Sequence, residues 1–125
     1  MNTYIPTESE EQITVFEWAA VMEQRYPELA MLYHIPNGGL RNKATAARLR
    51  AEGVKAGVPD LCLPVPRSGY HGLYIEMKKR DGSNRATKEQ RQWIDELQAH
   101  GYRAPVAYGS DEAIGVLEEC LGISD

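Results

Sequence analysis

Cysteine is scarce: the 125 residues hold only Cys62 and Cys120. Two well-separated thiols exclude a disulfide framework and a cysteine-based metal knuckle. They fit packing roles in a reducing compartment, so a cytoplasmic setting is expected. Long apolar runs are missing as well, which excludes a membrane-spanning helix, and Met1-Asn2-Thr3-Tyr4 does not read as a secretory leader. Neither an internal repeat nor a low-complexity linker breaks the chain. Its length fits one domain with one modest core, taken as residues 1–125. No aromatic platform for stacking single-stranded bases stands out, and the scattered tyrosines read as packing residues.

Positive charge is in overall deficit, at a net −4, yet it is unevenly placed. Residues 1–30 carry one base, Arg25, against six glutamates. Residues 31–109 carry thirteen bases against seven acids, and residues 110–125 carry five acids and no base. A basic middle between acidic ends permits a nucleic-acid-facing groove on an acidic body. Segment 41–57 concentrates the effect, with Arg41, Lys43, Arg48, Arg50 and Lys55 against Glu52 alone. Such a cluster serves phosphate contacts or forms a solvated helix face. Its position just ahead of Asp60 favours DNA.

The local signals alternate between helix and strand. Thr7-x-x-Glu10 and Ser9-x-x-Gln12 match the capping-box pattern and predict a helix running to about Tyr26, with Pro27 as its stop. Residues 30–35 read as a strand closed by Pro36-Asn37-Gly38-Gly39. A short helix is predicted from Arg41 to its stop at Gly53. A strand over about 60–65 is limited by Pro64 and Pro66, and a second strand runs through Leu73-Tyr74-Ile75-Glu76-Met77-Lys78. Thr87-x-x-Gln90 opens a helix with Trp93, Ile94 and Leu97 on one stripe, ended by Gly101. A strand over 103–108 is placed near a sheet edge by Pro105, and Ser110 is expected to cap a last helix. The order predicts an α/β domain with a small mixed sheet flanked by helices.

The chemistry concentrates on Asp60, Glu76 and Lys78. Side chains alternate along a strand, so Tyr74, Glu76 and Lys78 share one face while Leu73, Ile75 and Met77 share the other. Taken alone, an acid and a lysine two residues apart form an exposed ion pair of little worth, and Pro59-Asp60 is a turn signal. Together the residues say more. Apolar neighbours point to buried strands, consecutive strands usually pair, and like charges buried side by side require a compensating cation. Two carboxylates and an ammonium on one face are suited to holding a hard cation and a water. His34 and His71 read as a strand-edge residue and a solvent-facing loop residue.

Pro59-Asp60 followed by Glu76-Met77-Lys78 resembles the PD-(D/E)xK nuclease signature. Ile35-Pro36-Asn37-Gly38-Gly39, Ala56-Gly57-Val58-Pro59-Asp60, Gly72 through Lys78, Gln90-Arg91-Gln92-Trp93 and Gly101-Tyr102-Arg103 come in the order of a stand-alone VRR-NUC domain. The resemblance covers about residues 8–121. It implies a restriction-endonuclease-like core and a DNA endonuclease dependent on Mg²⁺, with Mn²⁺ as a substitute. The implied metal ligands are Asp60, Glu76 and the backbone carbonyl of Met77. Lys78 would orient a water or neutralise developing charge. Gln90 would sit beside the site, a role that competes with capping its own helix. A first-helix glutamate is also implied, with Glu11 chosen and Glu8 and Glu10 as rivals. Asn37, Arg41, Lys43, Arg48, Lys55, Lys79 and Arg80 are the expected DNA contacts. Stand-alone members imply a homodimer acting on branched DNA such as Holliday junctions, in a bacterial or virus-infected cell. Alternatives are a non-catalytic branched-DNA-binding module, or a nuclease acting on flaps, linear DNA or RNA.

Overall fold

Threonine hydroxyls start two of the helices that frame the sheet. In the computed structural model, which describes residues 4–36 and 42–123, the Thr7 hydroxyl accepts from the Glu10 amide at 3.1 Å and Glu10 Oε1 accepts from the Thr7 amide at 2.9 Å. This reciprocal cap sets the start of α1, Glu8–Met22, and buries Glu11, Val15 and Ala19 at helical intervals. The helix ends at Met22, short of the expected Tyr26. Pro27 disfavours the helical region for the residue before it, and Tyr26 sits at φ −125°, ψ 83°.

Residues 30–35 are not one strand. Pro27 opens a 3₁₀ helix, Pro27–Met31, that takes in Ala30 and Met31. Proline suits a first helical turn, where its missing N–H is not needed, and Leu29 and Leu32, three apart, both turn inward. What remains is the short strand β1, Tyr33–His34. Asn42 caps α2, Lys43–Ala51, accepting from the Thr45 amide at 2.8 Å. No residue of α2 is buried.

Next come β2, Leu61–Leu63, and β3, Leu73–Lys78. A second reciprocal cap, Thr87 with Gln90, starts α3, Lys88–Ala99. The chain ends with β4, Val106–Tyr108, and α4, Ser110–Leu121. Ser110 is the first residue of α4 rather than its cap. That position belongs to Gly109, at φ 94°.

The strands lie in the order β1-β2-β3-β4, antiparallel except for parallel β3 and β4. The α3 crossover accounts for that parallel pair. β4 is an edge strand, as Pro105 suggests, and it is shorter than expected: Arg103 makes only an isolated bridge to Leu73. β2 is short but paired on both sides, with every residue buried. Leu61, Leu63, Leu73, Ile75 and Met77 form the core with Val15 and Ala19 of α1 and Ala113, Leu117 and Leu121 of α4. The other face carries Cys62, Tyr74, Glu76 and Lys78. Some tyrosines are gathered there rather than scattered. Tyr102 meets Tyr74 edge to face at 5.5 Å and His71 at 5.8 Å.

Candidate active site

The register of β2 on β3 pairs Leu61 with Ile75, so Asp60, one residue before β2, falls opposite Glu76. Gly57 makes the approach to Asp60 possible. It has φ 88°, and a Cβ there would come within 2.8 Å of the Glu89 backbone at the start of α3. Asp60 is then pinned. Its Oδ2 accepts from the Met77 amide at 2.7 Å. Its carbonyl accepts from the Ile35 amide at 2.7 Å and lies 2.9 Å from His34 Nδ1. His34 therefore braces Asp60 from an exposed edge.

Glu76 is 1% exposed, and its Oε1 is the one buried side-chain oxygen or nitrogen among the described residues without a hydrogen-bond partner. Its Oε2 lies 3.8 Å from the Lys78 ammonium, which is also buried. Burial pushes the Glu76 carboxyl up to about 9, and the charge and hydrogen bond of Asp60 push the same way. Lys78 opposes the shift without cancelling it, and Glu8 adds to it. A buried carboxyl with an unsatisfied oxygen, facing a second carboxyl, is a site that a hard cation would complete. The donors are oxygens, which suit magnesium or manganese. Among the described residues, no three His, Cys, Asp or Glu side chains gather into a ready-made metal cage.

Of the three α1 candidates, Glu8 is the one whose charge contributes to the upward shift of Glu76, and it contributes least of the causes. Glu8 accepts a hydrogen bond from the Asn84 amide group. Glu10 caps α1 and takes the Tyr4 hydroxyl. Glu11 is fully buried but occupied elsewhere. Arg80 grips it through Nε at 2.6 Å and Nη2 at 2.8 Å, and the Ser110 amide donates to it at 3.1 Å. The guanidinium holds Glu11 below the usual carboxylate range. Gln90 is a helix cap here, with Oε1 accepting from the Thr87 amide at 2.8 Å.

The expected DNA contacts divide in three. Lys43, Arg48 and Lys55 are exposed, and Lys79 is half-buried. Arg80 is committed to Glu11, because the carboxylate it neutralises has no access to water. Asn37 and Arg41 lie outside the described residues. Sequence reading passed over Asn84 and the Ser110 amide. Nothing local marked either one, since their partners Glu8 and Glu11 lie 76 and 99 residues away.

A family model for the VRR-NUC domain matches residues 7–111. A solved structure described as a VRR_NUC domain protein is 36% identical, with a TM-score of 0.80 over 98% of this chain and 93% of that one. No curated protein matches the chain.

Proposed function

The chain belongs to the VRR-NUC family of nuclease domains, and on that premise we propose that it is a divalent-metal-dependent endonuclease that hydrolyses phosphodiester bonds in branched DNA. The observation that carries this reading is the Glu76 carboxyl, buried with an orphan oxygen directly opposite Asp60. Asp60, Glu76 and the backbone carbonyl of Met77 would hold Mg²⁺ or Mn²⁺. When bound, the cation supplies charge that acidifies a water and stabilises the negative charge growing on the phosphate.

This chain's residues arrange the rest. The Met77 amide fixes the orientation of the Asp60 carboxylate. Lys78, held beside Glu76, places its ammonium where it orients the attacking water or offsets charge on the scissile phosphate. Of the three α1 candidates, Glu10 caps the helix and Glu11 is gripped by Arg80, which leaves Glu8 as the acid α1 could offer. The exposed bases of α2 and Lys55, with Lys79, bind the DNA backbone and fix its register without reading sequence. A homodimer would set two such sites about a two-fold axis, as symmetric cutting of a Holliday junction requires.

The test is a cleavage panel on four-way junction, flap, single-stranded and duplex DNA, with Mg²⁺ or Mn²⁺ and with chelator. Metal-dependent cutting strongest on the junction, abolished by Asp60→Ala while binding persists, is the expected result. Cutting that survives chelation, or no cutting of any substrate, would end the reading.

A further inference from the structure

Each of the other α-helices buries at least one residue, and α2 buries none. Partial cover reaches only Thr45, Ala46 and Leu49, on one stripe of a nine-residue helix. Helices draw most of their stability from packing an apolar face, and isolated ones shorter than about 12–15 residues are marginal in water. What supports α2 is local. Asn42 caps its start, its alanines favour helix, and Arg48 meets Glu52 at 3.6 Å with both side chains exposed, an ion pair of little worth. Its own charge works against it. Lys43, Arg48 and Arg50 have no acid within the helix to offset them, and Lys43, Ala47 and Arg50 follow one face.

We propose that α2 is ordered by DNA: it opens and closes in the free protein, and a phosphate backbone seated against Lys43, Arg48 and Arg50 holds it helical beside the candidate site. The inference rests on the DNA-cleaving reading above and adds to it the state of the surface that meets the backbone. A polyanion removes the repulsion among the bases and covers a helix that the rest of the chain leaves uncovered. The joint to the site is built for such a motion. Gly53, at φ 103°, ends the helix, and the buried Gly57, close against the Glu89 backbone, leads into Pro59-Asp60. Opening of α2 therefore stops short of β2, whose residues are all buried. A surface that orders on contact can follow backbones of different shape, as the arms of a branched substrate present. The same coupling makes DNA affinity depend on how much of α2 is already helical, since the apparent affinity is scaled by that fraction.

The experiment is amide hydrogen exchange read by mass spectrometry on Asp60→Ala, and on wild type in chelator, with and without a four-way DNA junction. In the free protein, the amides of α2 are expected to exchange within about tenfold of an unstructured chain, while those of β3 exchange far more slowly. Saturating junction should slow α2 by at least about tenfold. In parallel, Ala47→Gly, at an exposed position, is expected to weaken junction binding about fivefold while leaving the melting temperature unchanged, because the helix-forming tendency itself limits binding. A helix already formed in the free protein would absorb that change with no loss of affinity. Protection of α2 without DNA overturns the proposal, and protection that grows with protein concentration assigns the cover to a second copy of the chain instead. A bound junction with α2 still exchanging freely, or unchanged affinity in Ala47→Gly, overturns it and leaves the nuclease reading standing. No binding of the junction, together with no cutting of any DNA by wild type, overturns both.

Discussion

At the scale of single residues, the buried Glu76 carboxyl makes stability depend on pH. Its ordinary value is 4.5 and its folded value is about 9. The folded state therefore holds a proton that the unfolded state releases between those limits. The resulting stability is fully present below pH 4.5 and is lost as pH rises through about 9. A cation held there, as proposed, would displace that proton, so metal affinity should climb across the same window. At pH 7, Mn²⁺ binding is expected to release about one proton, read by calorimetry in two buffers of different ionisation enthalpy. Glu76→Gln should abolish both the binding and the proton release. Heats of binding independent of buffer would contradict the assignment. Asp60, Glu76 and Lys78 were legible from sequence because strand alternation and consecutive-strand pairing suffice to bring them together. The engagement of Glu11 by Arg80 was not, because the two lie 69 residues apart.

At the scale of elements, Glu11 acts where several segments converge. It receives the first amide of α4 and the guanidinium that follows β3, so α1 supplies the cap that α4 lacks in its own sequence. Arg80→Ala is expected to lower the urea midpoint, because it leaves the buried Glu11 carboxylate without its guanidinium, an effect limited by water reaching the half-exposed position. DNA affinity at fixed salt should stay unchanged. A stable variant with weakened DNA binding would return Arg80 to the DNA surface. Gly109→Ala is expected to cost more than about 1 kcal/mol. Its φ is 94°, and the added Cβ would meet Arg80 Cβ at 2.8 Å. An unchanged melting temperature would contradict this. The helix starts at Thr7 and Thr87 were readable because the capping box is local. The 3₁₀ helix at Pro27 was not, because an apolar stretch between turn signals reads equally well as a strand.

At the scale of the whole molecule, acidic ends and a basic middle in the sequence lead us to expect salt-dependent DNA binding through the basic segment. Changing Lys43, Arg48 or Lys55 to glutamine should each reduce the slope of log affinity against log salt by about 0.9, where the residue neutralises one phosphate. An unchanged slope in fluorescence anisotropy would remove that residue from the interface. The sequence conveyed the mixed sheet and the helix order, since both follow from nearest-neighbour connections. It did not convey how late in the chain the first helix finds its partners. α1 is made before the other elements described, yet its buried carboxylate waits for residues 80 and 110. A nascent chain stalled before residue 110 should remain open to pulse proteolysis, and one stalled well beyond residue 121 should resist it. Protection of the shorter chain would contradict this, whereas its absence would mean that the candidate site is held in place only once the last helix has left the ribosome.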